Sequence, residues 1–317
     1  MMSEPRRLLS LISPFYNEEH GVCAFFERVD ALYQTLADRY DFEVIAINDG
    51  SRDRTYEELL KAQATHSYVT VVDLSRNFGK EAALSAGLDF ANGDAVVPID
   101  SDLQHPPEVV LELVAKWEEG AEVVLAKRVD RRTDHAVQKF TANGFYKLHN
   151  SISDIHIPAD VGDFRLMDRK VVDALKQLPE NRRFMKGLFA WVGFRTATIE
   201  YHVAPRSTGK TSFNTWKLWN FAIEGITSYS SAPLRIWTYL GGAVSGMALL
   251  YAVYLLIKTL CFGVDTPGYA SLMITILFAS GVQLIGIGVL GEYVGRIFVE
   301  SKRRPVYIVR EVIKPHR

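Results

Sequence analysis

The chain has 317 residues, enough for one large domain or two smaller ones. Its 36 basic and 37 acidic residues nearly cancel, so bulk electrostatics give no support to a nucleic-acid partner. The two cysteines, Cys23 and Cys261, are far apart and in no metal-binding spacing, which excludes a disulfide scaffold.

The first half of the chain alternates strand-like apolar runs with segments of helical periodicity. The predicted strands cover Leu8–Ser13, Phe42–Asn48, Val69–Leu74, Ala95–Ile99 and Val123–Ala126. The predicted helices cover Val22–Leu36, a segment through Tyr56–Leu60, Lys80–Ala91 and Val109–Trp117. This repetition predicts an α/β fold with a mostly parallel sheet covered by helices on both faces. No Gly-x-Gly-x-x-Gly follows the first strand, which disfavours a dinucleotide-binding domain.

Three further segments precede the most apolar part of the chain. A helix is predicted over Ala136–Asn150, a strand–helix unit begins with Val161–Asp168, and an apolar stretch covers Phe184–Val192. Asn214–Ser231 carries tryptophans among polar residues, which favours a helix lying in a membrane interface. The alternative is that this helix packs on the soluble domain.

Two uncharged segments, Trp237–Ile257 and Leu272–Leu290, are each long enough for a helix to cross the hydrocarbon core of a bilayer. A buried core helix is the alternative for either one, but two in succession favour a transmembrane hairpin. The predicted organisation is a soluble domain over 1–212, an interfacial helix over 213–233, a hairpin over 234–296 with spans at about 236–258 and 271–293, and a basic tail over 297–317.

The basic residues around these spans predict their orientation. Arg235 precedes the first span, and four basic residues follow the second: Arg296, Lys302, Arg303 and Arg304. The linker 262–268 has no Lys or Arg, although Lys258 lies near the end of the first span. The positive-inside rule therefore predicts that the soluble domain and both termini are cytoplasmic.

The most informative motif is a pair of carboxylates, Asp100 and Asp102, directly after a buried apolar strand. Ligands of open α/β sheets bind beyond the carboxyl ends of the strands. Two carboxylates there can hold a hard divalent cation against a phosphate, and both share one face if the extended geometry persists. The alternative is an ordinary strand end with a polar turn.

Other strand ends are predicted to meet at the same edge of the sheet. They carry Pro14–Glu19, Asp49–Ser51 and Arg76–Lys80. Tyr16 and Asp49 suit a nucleotide base, and Lys80 at a helix start suits a phosphate. Each segment by itself is also an ordinary turn with the usual cap residues. Together with the two carboxylates they predict a pocket for a nucleoside diphosphate.

The chain resembles the inverting glycosyltransferases of family 2, which have the GT-A fold. More narrowly, it is similar to polyprenyl-phosphate glycosyltransferases, a group related to dolichyl-phosphate mannose synthases, and within it to the bactoprenol glucosyltransferases of O-antigen modification. The resemblance covers nearly the whole chain and rests on these motifs in order: 14–19, 48–51, 76–81, 100–104, 162–166, 184–187, 216–220 and 291–296.

The resemblance implies a role for each motif. Nucleotide-sugar binding is expected at Pro14, Tyr16, Asn17, Glu18, Asp49, Lys80 and Asp100. Binding of Mg²⁺ or Mn²⁺ is expected at Asp100, Asp102 and Gln104. Asp163 matches the catalytic base of the family. The acceptor phosphate is expected at Arg128, Arg165, Arg206 and Lys210, since arginine forks suit phosphate; solvated surface arginines are the alternative.

The leading hypothesis is transfer of a single glucose from UDP-glucose to undecaprenyl phosphate at the cytoplasmic face of the bacterial plasma membrane, for cell-surface glycan modification. Other donors, GDP-mannose or an amino-arabinose nucleotide, are the nearest alternatives, and an inactive membrane-anchored scaffold is one of a different class. The same resemblance implies a flippase and a downstream glycosyltransferase as partners. Glycines in the spans permit close packing in a homo-oligomer. His105 is interpreted as a turn histidine rather than a ligand.

Overall fold

A computed structural model describes residues 6–129, 161–180, 183, 185–202, 232–262 and 268–315. The described strands are β1 Arg7–Phe15, β2 Tyr40–Asn48, β3 Val69–Leu74, β4 Ala95–Pro98, β5 Val123–Arg128, β6 Val161–Asp168, β7 Thr196–Tyr201 and β8 Val309–Ile313. The described helices are α1 Val22–Leu36, α2 Thr55–Thr65, α3 Lys80–Phe90, α4 Val109–Glu118, α5 Arg169–Lys176, α6 Met185–Trp191, α7 Ala232–Phe262 and α8 Tyr269–Ser301.

Within these residues the strands form one eight-stranded sheet in the order β7-β5-β6-β4-β1-β2-β3-β8. β4, β1, β2 and β3 are parallel neighbours, and β7 is parallel to β5. β6 runs antiparallel to both β4 and β5. The predicted α/β fold with a mostly parallel sheet is confirmed, and the antiparallel β6 brings its N-terminal end to the edge where β4 ends.

The sheet is buried on both faces, as its unbroken apolar strands predict. One face packs against α1, α2 and α4 through side chains such as Phe25, Leu59 and Leu113. The other packs against α3, α5 and α6 through side chains such as Leu84 and Val172. The two layers of helices leave the loops at the carboxyl ends of β1–β4 as the accessible edge of the central sheet.

The segment predicted as a basic tail, residues 297–317, contains a strand that the sequence pattern did not reveal. Helix α8 continues to Ser301, and β8 then pairs antiparallel with β3 at the edge of the sheet. Tyr307 and Gln63 add hydrogen bonds across this junction, to Asp89 and to the carbonyl of Lys314. The strand after the two long helices therefore belongs to the same sheet as the strands before them.

The two predicted spans lie within α7 and α8. Large apolar side chains along both helices are exposed, among them Leu250, Tyr254, Leu284 and Ile287. Exposed apolar side chains in such number are typical of membrane or protein contact. By length and composition, one helix among the described residues, Phe278–Ser301, qualifies as a membrane span.

Candidate active site

The loops that follow β1 and β2 are joined by hydrogen bonds to each other. The backbone N–H of Asn17 donates to Ser51 Oγ at 3.1 Å, and the Asn17 side-chain oxygen accepts from the N–H of Arg52 at 2.8 Å. The N–H of Glu18 donates to Thr55 Oγ1 at 2.8 Å. Asn17 and Glu18 therefore help to hold these loops together.

Pro14 and Tyr16 are also predicted to bind the nucleotide-sugar. Pro14 lies within β1 and is paired with Ile47 of β2. Tyr16 follows the strand and is 42% exposed. An exposed aromatic ring at this edge is available for stacking against a flat ligand.

Asp49 links the end of β2 to the loop after β3 by hydrogen bonds. Its carboxylate is 3% exposed and accepts hydrogen bonds from the N–H groups of Phe78 at 2.7 Å and Gly79 at 3.0 Å. Burial raises the pKa of Asp49, and these two N–H groups and Arg76 oppose the rise. A carboxylate has about four lone-pair sites, so Asp49 keeps acceptor capacity for a base N–H.

Gly50 is required by the close approach of these two loops. Its φ is +61°, and a Cβ built on it would lie 2.3 Å from the carbonyl carbon of Arg76. Gly79 in the neighbouring loop also has a positive φ, +98°, but a Cβ there would meet nothing within 4 Å. The first glycine is thus needed for space and for conformation, and the second for conformation alone.

Gly50→Ala is therefore expected to destabilise the protein by about 2–4 kcal/mol, because backbone strain and crowding add. Gly79→Ala is the matched control and is expected to cost about 1–2 kcal/mol, from strain alone. Thermal unfolding of the two variants measures the difference. Equal losses of stability would contradict the importance of the contact with Arg76.

Three charged side chains converge where α3 begins. Lys80 Nζ lies 2.7 Å from Asp100 Oδ1 and 3.0 Å from Asp163 Oδ2. Burial alone would raise the pKa of Asp100, but the charge of Lys80 and a hydrogen bond from His105 outweigh it and hold the pKa well below its usual range. Burial alone would lower the pKa of Lys80, but the two carboxylates raise it above its usual range. Lys80 and Asp100 therefore stay ionised near neutral pH.

The register of β6 explains why Asp163 meets Asp100. β4 and β6 pair Ala95 with Asp168 and Val96 with Met167. The same antiparallel register, continued beyond the end of β4, places Asp163 opposite Asp100. The predicted base and one of the two predicted metal-binding carboxylates, Asp100, are therefore neighbours, although 63 positions separate them in the chain.

Asp102 lies in a turn rather than in an extended strand. β4 ends at Pro98, and the left-handed backbone of Leu103, with φ +57°, lets Asp102 Oδ1 accept from the N–H of Gln104 at 3.1 Å. The shared strand face expected for the two carboxylates therefore does not apply, because the chain has already turned. Gln104 contacts Asp102 through its backbone N–H, and the role of its side-chain amide as a metal ligand stays a prediction.

Arg165, predicted for the acceptor phosphate, is buried and makes its contacts within the domain. It is 5% exposed, donates from Nη2 to the carbonyl of Gly162 at 2.7 Å, and stacks its guanidinium 4.0 Å over the ring of Phe189. Desolvation lowers its pKa to about 10, with the charge of Asp163 opposing. Arg165 is a buried positive charge on the same face of β6 as Asp163.

A second set of side chains supports Asp100 from the other face of the sheet. His105 Nε2 lies 3.4 Å from Asp100 Oδ2, and its Nδ1 lies 2.7 Å from the hydroxyl of Tyr201. The imidazole also stacks on Phe164, with ring centroids 4.9 Å apart. Burial raises the pKa of Tyr201 to about 12, while the nearby Arg128 opposes the rise. Arg128, predicted for the acceptor phosphate, thus lies beside this cluster.

The sequence patterns assigned no role to Tyr201 and favoured a turn histidine over a weak ligand at His105, whereas the structure places both side chains beside Asp100. His105 has a signal, its position three residues after Asp102, although the turn interpretation was preferred. Tyr201 ends a strand far along the chain and carries no local signal. Some of the predicted features lie outside the described residues: Arg206, Lys210, the helix predicted over 136–150, and residues 213–231 of the predicted interfacial helix.

Comparisons with known proteins identify the family. Residues 10–176 match the model "Glycosyl transferase family 2", and residues 232–297 match the model "GtrB C-terminal hairpin". The chain belongs to glycosyltransferase family 2. This glycosyltransferase is 53% identical over 303 residues to a bactoprenol glucosyl transferase of Shigella phage SfV, covering 95% of this chain and 98% of that protein.

A further relative is an uncharacterized glycosyltransferase of Synechocystis sp., 52% identical over 304 residues, which cover 96% of this chain and 95% of the relative. Glucosyl-3-phosphoglycerate synthase from Mycobacterium tuberculosis is a distant structural likeness, with a TM-score of 0.47, 22% identity, and coverage of 69% of this chain and 77% of that one. The C-terminal hairpin and the apolar helix indicate that this family 2 glycosyltransferase associates with a membrane.

Proposed function

We propose that this enzyme transfers one glucose, with inversion, from UDP-glucose to undecaprenyl phosphate at the cytoplasmic face of the bacterial plasma membrane. The observation that carries the proposal is the similarity, over nearly the full length and including the hairpin, to proteins named bactoprenol glucosyl transferase. The geometry of the site supports it, because carboxylates, a lysine and loop N–H groups meet at the edge where α/β sheets bind ligands.

The carboxylates of Asp100 and Asp102 suit a divalent cation that is also coordinated by a substrate. Among the described residues, no group of three or more His, Cys, Asp or Glu side chains is arranged to hold a metal ion by itself. Mg²⁺ commonly takes one or two carboxylates and completes its shell with water and substrate phosphates. We propose Asp100 and Asp102 as the protein ligands, with Gln104 beside them. The ion, when bound, would offset charge on the departing diphosphate.

The remaining residues of the site suit the two substrates. Tyr16 and Asp49 are proposed to hold the base, and Lys80 to add positive charge near the diphosphate. A polyprenyl phosphate is already anionic near neutral pH, so Asp163 needs only to orient the acceptor or to remove a residual proton. Arg128 is the described candidate for the acceptor phosphate.

The position of β8 supports the proposed membrane topology. β1–β7 precede α7 and β8 follows α8, yet all eight strands belong to one sheet. If α7 crosses the membrane, α8 must cross back for β8 to reach β3. The basic residues after α8 favour the cytoplasm for this side. A glucolipid made there needs a flippase and a second transferase to reach a surface glycan, and we propose these as partners.

The function is tested with the purified full-length chain in detergent. Radiolabelled UDP-glucose and undecaprenyl phosphate are expected to give a lipid-extractable product with Mg²⁺ or Mn²⁺, and none after treatment with EDTA. If product forms with GDP-mannose or with an amino-arabinose nucleotide but not with UDP-glucose, the proposed donor is wrong. Transfer from no donor, with UDP still bound, would favour a nucleotide-binding scaffold.

A further inference from the structure

Strand β8 places one charged side chain against a buried carboxylate of β3. Asp73, near the end of β3, is 1% exposed, and Arg310 Nη1 lies 2.9 Å from its Oδ2. Arg310 Nη2 also donates to the carbonyl of Ser75 at 2.8 Å. A buried carboxylate is costly unless it is paired and hydrogen-bonded. Arg310 of β8 supplies the positive charge that pairs with Asp73 of β3.

The other oxygen of Asp73 points toward the proposed donor site. Asn48 Nδ2 donates to Asp73 Oδ1 at 2.7 Å, and the oxygen of the same amide accepts from the N–H of Ser51 at 3.2 Å. Asn48 is itself 2% exposed, so these two contacts determine which way its amide faces. The next residue, Asp49, holds the loop after β3. A continuous set of bonds therefore leads from Arg310 to the turn that carries Asp49.

We propose that β8 is a positioning element for the donor site and that Arg310 is its positioning residue, acting through Asp73 and Asn48. The segment after the second membrane helix thus helps to shape the pocket in the domain before the first. The inference rests on the proposed function only in treating the Asp49 turn as part of the donor site.

Hydrogen–deuterium exchange of the full-length protein tests the inference without reference to any donor. Arg310→Gln is expected to speed exchange about 10-fold in peptides covering 48–52 and 76–80, since a charge-assisted bond that orients this turn is lost. Glu311→Gln is the matched control. It removes a charge from the same strand and keeps an acceptor for the Tyr56 hydroxyl, so exchange in both peptides is expected to stay unchanged.

A double-mutant cycle separates positioning from general loosening of β8. Asp73→Asn removes the buried charge that needs Arg310, so adding Arg310→Gln in that background is expected to change exchange at 48–52 less than twofold. With donor present, Arg310→Gln is expected to raise the donor KM about 10-fold and to change kcat less than twofold.

Exchange that speeds only in the amides of β8, or full additivity in the cycle, would overturn the inference. Arg310→Lys keeps the charge and is expected to restore at least half of the protection, which covers the case in which Arg310→Gln fails to fold. Absence of transfer by the wild-type protein would overturn the proposed function and leave the exchange data to decide the role of β8.

Discussion

Asp102→Asn is expected to lower kcat for glucosyl transfer by at least about 1000-fold while leaving the protein folded. The substitution removes the negative charge proposed to bind the cation, and such a cation contributes several kcal/mol to a reaction with a charged leaving group. The asparagine oxygen still accepts from the N–H of Gln104, so the turn at Leu103 is expected to persist. Initial rates with saturating donor, beside a thermal unfolding curve, measure both effects.

Asp41→Asn is the matched control for this experiment. Asp41 is an exposed aspartate near the start of β2, at the opposite end of the sheet from the site. Its substitution is expected to change kcat less than twofold. Wild-type turnover by Asp102→Asn would remove Asp102 from the proposed metal site.

Lys80→Met is expected to lower kcat about 100–1000-fold and also to lower the melting temperature. The first effect follows from losing a fixed positive charge beside the proposed diphosphate site. The second follows because Asp100 and Asp163 would face each other without a shared cation. The side chain of Lys80 is 44% exposed, so solvent screens the pairs and the loss of stability is expected to be about 1–2 kcal/mol rather than that of a fully buried pair.

Two companion variants separate the two effects of Lys80. Lys80→Arg keeps the charge and is expected to retain the melting temperature, with an intermediate kcat because the guanidinium has a different shape. Adding Asp163→Asn to Lys80→Met removes one of the two facing carboxylates, so the melting temperature is expected to recover and kcat to stay low. Unchanged stability in Lys80→Met, or recovery of kcat in the double variant, would contradict the role assigned to the cluster.

Local sequence patterns determined most of the individual elements. α1 at Val22–Leu36 and β3 at Val69–Leu74 have the predicted bounds, because each is specified by its own apolar periodicity. The carboxylate pair, the two long apolar helices and the family were also legible, since each depends on residues close together in the chain. These features predict a nucleotide-sugar site at the edge of the sheet where Lys80, Asp100 and Asp163 come together.

Long-range pairing decided the rest. The meeting of Asp100 and Asp163 at Lys80 depends on the antiparallel register of β6. The burial of Arg165 depends on Phe189, a partner from a different element. β8 is a five-residue strand with two charged residues, and only the free edge of β3 makes it a strand. The residues next to a side chain in the sequence do not reveal its partners across the sheet. The sequence therefore determined which residues are present, and the tertiary structure decided which of them act together.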